Sequence, residues 1–172
     1  MIESSSRGGG KVKYLRGAAA VLMVVSLLTV QSSAYRDELS TYISSITSIS
    51  PTADETAVLN AVNAVRLARG LDALEYDPLL TDAARVRSAE IAESGVFSHT
   101  SPNYGDVFIL LHRMRVRYRA AGENLARGFY FAADIAGAWM ASPSHRDNIV
   151  CKTYTRAGVG IVNGCCTLVL CG

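Results

Sequence analysis

An α+β domain, with helices stacked on an antiparallel sheet, is the fold class that the order of patterns in this 172-residue chain predicts. Apolar residues recur at helical spacing through the first half of the body. The last part instead holds two short apolar runs, Ala157 to Val162 and Thr167 to Leu170. Between these runs stands Asn163-Gly164, a strong two-residue hairpin signal.

The first helix starts at Thr52, with Glu55 three residues on as the partner of a capping box. Val58, Leu59, Val62 and Val65 continue it to about Arg69, and Gly70 stands where a helix C-terminus is expected. Asp77-Pro78 supplies an N-cap and a proline at the first helical position. Leu79, Leu80, Ala83, Ala84, Val86 and Ile91 fill this second helix, which stops near Ser94-Gly95. A histidine-bearing loop follows, and Asp106 opens a short third helix through Phe108, Leu110 and Leu111. Arg113, Arg115, Arg117 and Arg119 alternate with Met114, Val116 and Tyr118, which predicts a strand with a basic face from Val116 onward, a solvated sheet edge or a binding stripe. Asp134 to Met140 is a fourth helix carrying the single Trp139, ended by Ser142-Pro143-Ser144-His145.

The chain is 49% hydrophobic and 19% charged, a balance that excludes intrinsic disorder. In residues 1–34, Arg7, Lys11, Lys13 and Arg16 stand against Glu3, so a local +3 underlies the formal net +2 and residues 35–172 carry −1. A near-neutral body gives no electrostatic case for nucleic acid. Gly17 to Val30 is a mostly apolar run without a charge, followed by Ser32-Ser33-Ala34. That is the secretory pattern, and the run is short for a permanent span, which needs about 20 residues. Residues 1–34 therefore read as a signal peptide or a signal anchor, residues 35–51 as a Ser/Thr-rich linker, and residues 52–172 as the folded domain.

Three polar segments interrupt the apolar body: Phe97 to Pro102 (FSHTSP), Gly122 to Ala126 (GENLA) and Ala138 to Ile149 (AWMASPSHRDNI). With the later AGVGIV at 157–162, and with Asn63, Arg66 and Leu79 in the first two helices, their order resembles the CAP superfamily of cysteine-rich secretory proteins, antigen 5 and pathogenesis-related protein 1, in its bacterial secreted branch. The resemblance covers roughly residues 55–171. It implies a three-layer α-β-α sandwich with a central antiparallel sheet, and a cleft that many members line with two histidines and two acids. His99, Glu123 and His145 match three of those four positions; the fourth, three residues after the tryptophan, is Ser142 here. Asp106 is the acid that could replace it. The resemblance also implies lipid or sterol ligands in some members.

Two neutral imidazoles and a carboxylate suit a divalent metal such as zinc, with water in an open position. Zinc-bound water has a pKa near ~7 and can attack an acyl bond, but efficient hydrolysis also wants a free carboxylate as general base. If Glu123 ligates, that base is missing; if Glu123 stays free, the metal keeps only His99 and His145. A structural polar network around Glu123 is the competing account. His112, among Leu111, Arg113 and Met114, reads as a surface or helix-end histidine.

Cys151, Cys165, Cys166 and Cys171 all fall in the last 22 residues. With the turn at Asn163-Gly164, Cys165 and Cys171 share one face of the last strand, about 20 Å apart and too far to bond, while Cys166 takes the other face. Cys171 then lies across from Arg156, which favours a Cys151–Cys171 disulfide. Four cysteines allow three pairings, and a site of four thiolates is the rival. These readings predict a secreted or extracytoplasmic membrane-anchored binding or interaction module. Its ligand would be an unidentified lipid or protein, and membrane contact would come only through an uncleaved N-terminal segment. A secreted metal-dependent hydrolase using the same cleft is the alternative.

Overall fold

The computed structural model describes residues 50–103 and 105–172. The signal or anchor of 1–34 and nearly all of the 35–51 linker lie outside the described residues.

Thr52 caps the first helix, α1 (Ala53–Leu67), through the full capping box with Glu55. A two-residue strand, β1 (Glu75–Tyr76), precedes α2 (Pro78–Ser94). Asp77 caps α2 by accepting from the Leu79 and Leu80 amides, and Gly95 ends it at φ 72°. Asp106 caps α3 (Val107–Arg113). Then follow β2 (Ala121–Arg127), α4 (Ala132–Ala141), α5 (Pro143–Val150), β3 (Arg156–Val162) and β4 (Cys165–Cys171).

The sheet runs β1-β3-β4-β2. β3–β4 and β4–β2 are antiparallel, whereas β1 pairs parallel to β3, so the sheet is mixed at one edge. The turn joining β3 to β4 places Asn163 at φ 47° and Gly164 at φ 76°, the left-handed pair that a type I′ hairpin requires. Arg156 pairs with Cys171, the register expected from that turn.

β4 is buried along its whole length, and its alternation separates two cores. Val169 and Cys171 face Leu80, Ala83, Ala84, Leu110 and Leu111 of α2 and α3. Cys166, Leu168 and Leu170 face Val58 and Val62 of α1, Ile135 and Trp139 of α4, and Ile149 of α5. Helices on both faces of one sheet make the three-layer α-β-α sandwich. Two glycines set the spacing of one layer. A Cβ on Gly158 would lie 2.0 Å from the Thr81 amide nitrogen, and one on Gly160 would lie 2.1 Å from that of Arg85. The α2 backbone therefore rests on bare β3 backbone.

Polar side chains fasten the outer layer. Asn63 bonds both ways to the Leu74 backbone, at 3.0 and 2.8 Å. Arg66, 2% exposed, donates to the carbonyls of Asp72, Ile149, Cys151 and Tyr154. A buried guanidinium persists here because four carbonyls replace its water.

Three elements differ from the sequence expectation. Residues 116–119 form no strand. Arg115 reverses the chain at φ 58°, and the arginines alternate out of an irregular segment held by buried Val116. The period of two is therefore real while the ladder partner is missing, and pairing begins at Ala121. Gly122 to Ala126, a polar segment interrupting the apolar pattern, is a buried strand whose polar side chains are satisfied by α2 and α5. Ser142-Pro143 does not lead into a turn but opens α5, with proline at its first position.

Candidate functional site

The edge strand β2 places Glu123 and Asn124 where two loops and α5 meet. Glu123 is 7% exposed and Asn124 fully buried. Each Glu123 oxygen has its own partner. Arg87 Nε donates to Oε2 at 2.8 Å, and His99 Nδ1 lies 2.8 Å from Oε1. With Nδ1 so engaged, the His99 Nε2 is directed away from the carboxylate, in a side chain 57% exposed.

Arg87 is the hub of this network. From within α2 it also bonds Glu90 at 2.7 Å and the Ser98 carbonyl. Glu90 in turn accepts from Ser101 Oγ and, at 2.9 Å, from Asn103 Nδ2. The whole 98–103 loop that carries His99 is thus pinned to two charged residues one helical turn apart. An Arg–Glu pair at i,i+3 on a helix reads as a solvated surface pair, and nothing local marks it as buried. That is why Arg87 and Glu90 escape a sequence reading.

On the other side, Asn124 Nδ2 donates to the His145 carbonyl at 2.9 Å, and Asn148 Nδ2 donates to Asn124 Oδ1 at 2.8 Å and to the Glu123 carbonyl at 3.2 Å. These bonds set the first turn of α5 against β2. The His145 ring reaches His99, with centroids 6.1 Å apart and planes inclined by 48°. Burial, and then the neighbouring His99, holds the His145 pKa below the ordinary imidazole value. His145 is therefore neutral and lone-pair-bearing at neutral pH.

The structure brings His99, Glu123 and His145 together at one site. Glu123 does not fit as a metal ligand, because its oxygens already hold Arg87 and His99. Among the described residues no group of three His, Cys, Asp or Glu side chains is arranged around one point. The two imidazole rings are neighbours, and Glu123 is the carboxylate that orients His99. Asp106 accepts from the Ile109 amide as the α3 cap. Ser142 Oγ lies 3.5 Å from Ser144 Oγ, and His112 is exposed in the last turn of α3.

The favoured Cys151–Cys171 disulfide is not present: all four cysteines are free thiols. Cys151 packs with the α1/α4/α5 side and Cys171 with the α2/α3 side, so β4 itself separates them. The same division of the thiols between two faces disposes of a four-thiolate site. Burial raises the Cys166 thiol to about 12 and the Cys171 thiol to about 11.

The model of the cysteine-rich secretory protein family, CAP, matches residues 59–171. The chain is 37% identical over 113 residues to the uncharacterized protein YkwD of Bacillus subtilis, covering 66% of this chain and 44% of that protein. It is 32% identical over 110 residues to the uncharacterized membrane protein YlbC of the same species, covering 64% and 32%. It thus spans less than half the length of these relatives. An extracellular SCP-domain protein of Bacillus anthracis shares the fold with a TM-score of 0.66 at 24% identity, covering 83% of this chain and 44% of that one. An outer surface protein of Borrelia burgdorferi does so with 0.58 at 20% identity, covering 71% and 92%. Since the family match extends from the first helix to the last strand, the chain belongs to the cysteine-rich secretory protein (CAP) family.

Proposed function

We propose that this domain is an extracytoplasmic binding module whose cleft offers two imidazoles, His99 and His145, to a ligand. Export rests on residues 1–34, as a signal peptide or an anchor, and is in keeping with the extracellular and outer-surface descriptions of the structural neighbours. Among the described residues no helix is long and apolar enough to cross a membrane.

The observation that carries the reading is the full engagement of Glu123. A hydrolase at this cleft would need that carboxylate to take a proton from water, and here it is held between Arg87 and His99. Binding requires no such group. A divalent ion such as zinc would be held by the His99 and His145 nitrogens, where it would supply a positive centre for an oxygen-bearing ligand. Two protein ligands make that binding reversible.

Thermal unfolding with and without zinc tests the reading. At pH 7.5 a hundredfold excess over the dissociation constant is expected to stabilise the domain by about 2.7 kcal/mol. The effect should be lost in acid, at a pH below the ordinary imidazole range because the His145 pKa is lowered, since a protonated imidazole has no lone pair to give. H145A should abolish it and H112A should preserve it. A zinc shift that survives H145A places the ion elsewhere, and the thiols are then the candidates. No shift in the wild-type chain removes the metal and leaves the cleft as a hydrogen-bonding site.

A further inference from the structure

The arginines of 113–119 have no part in the cleft. This segment carries four arginines and no acid, in a body whose net charge from residue 35 onward is −1. Arg115, Arg117 and Arg119 are exposed, and none of them forms an ion pair with a described residue. Arg113, exposed in the last turn of α3, adds a fourth positive charge.

Their display is fixed from behind. Val116 is 8% exposed in the α2/α3 core, and Tyr118 packs against the same core. The Arg119 and Ala120 amides both donate to the Gly172 carbonyl, and Arg156 donates to the Arg117 carbonyl. Arg156 also neutralises Asp77, so that acid does not compete for the exposed guanidinium groups. With Val116 buried and Tyr118 packed inward, the three arginines are turned to solvent within five residues of chain. Each presents a planar fork of donors suited to phosphate oxygens.

We propose that Arg115, Arg117 and Arg119 form a binding track for a linear polyanion with a repeating phosphate group outside the cytoplasm. Several exposed guanidinium groups close together match a polymer that carries many phosphates on one molecule better than they match a single phosphate. Between Met114 and Ala120 no apolar side chain is exposed for insertion into a bilayer. The track runs directly into β2, which carries Glu123 four residues beyond Arg119, so a bound polymer passes close to the cleft without depending on it.

Long-chain inorganic polyphosphate, titrated against the full chain in nonionic detergent, is the probe. Three phosphate contacts on a single-stranded polyanion predict a log–log salt slope of about −2, and a contribution of about a hundredfold at 0.1 M salt. The triple variant R115Q/R117Q/R119Q should lose that factor and most of the slope with its melting temperature unchanged. H99A should bind as the wild type does, and R115K/R117K/R119K should keep most of the affinity. Equal binding by the wild type and the glutamine variant overturns the proposal. So does arginine-dependent capture on phosphatidylglycerol vesicles without arginine-dependent polyphosphate binding. That result would make this a headgroup surface, with exposed Phe108 and Ile109 of α3 as its apolar partners.

Discussion

Adding one methyl group at Gly158 should unseat the helix that organises the cleft. The alanine Cβ would meet the Thr81 nitrogen at 2.0 Å and the Leu80 carbonyl carbon at 2.2 Å, both backbone atoms with no rotamer to escape into. Restoring an ordinary contact means moving the start of α2 away from β3 by more than about 1 Å. A gap of that size forfeits a quarter to a half of the dispersion attraction across it. The side chains concerned, Leu80, Ala83, Ala84 and Val86, are all essentially fully buried. Their combined burial is worth about 5 kcal/mol, so the loss is about 1–2.5 kcal/mol, within the usual range for overpacking. For a domain of this size that is a fall of about 4–10 °C in melting temperature. Thermal unfolding followed by far-ultraviolet circular dichroism measures it. The control is G137A, inside α4, where a Cβ meets nothing within 4 Å. That change should stabilise by about 0.4–1 kcal/mol. Because α2 also carries Arg87 and Glu90, G158A should weaken zinc binding at His99 as well. A G158A protein melting within about 2 °C of wild type would refute the close approach of helix and sheet.

Two further outcomes follow from buried ionisable groups. Burial raises the Asp82 carboxyl to about 6, with Oδ2 left without a hydrogen-bond partner. An acid whose folded pKa exceeds its unfolded value favours the folded state at low pH. Its contribution should fall as pH rises from about 4 to 6, by at most about 1.4 kcal/mol per unit, and D82N should remove that slope; an identical pH profile in D82N would sink the assignment. Among the thiols, half-buried Cys151 should be alkylated first in the native protein, with Cys165, Cys166 and Cys171 protected until unfolding. Mass mapping that finds Cys151 unreactive and joined to Cys171 would contradict the free-thiol state.

Much of this fold is legible because its signals are local. Thr52 with Glu55, Asp77 with Pro78, and Asn163 with Gly164 each act through a neighbour within a few residues, and each does what its chemistry predicts. The failures share a different cause. Arg115 to Arg119 alternate like a strand, yet strand formation depends on a partner that sequence does not display. Glu123 and Asn124 are polar on a buried strand because Arg87 and Asn148, distant in the chain, satisfy them. The convergence of His99 and His145 followed from family resemblance alone, and their spacing in sequence carries no trace of it. Cys151 and Cys171 were expected to pair from strand register, which is correct for Arg156 opposite Cys171. What register omits is the face: Cys151 arrives from α5 on the far side of the sheet.

Arg66 has a consequence for how the domain opens. Its guanidinium sits on the Ile149 and Cys151 carbonyls at the exit of α5, while its own backbone belongs to α1. Positive charge at a helix C-terminus is favourable, and here it is delivered by a different helix. Unwinding the last turn of α1 therefore strips four carbonyls of their donor at once, and α5 loses its fastening together with the strand that follows. His145 rides on α5. Helix α1 and His145 thus belong to one cooperative unit of opening, and amide exchange in α1 and α5 should share one rate and one denaturant dependence. The His145 side of the site therefore opens with α1, a helix that supplies neither histidine.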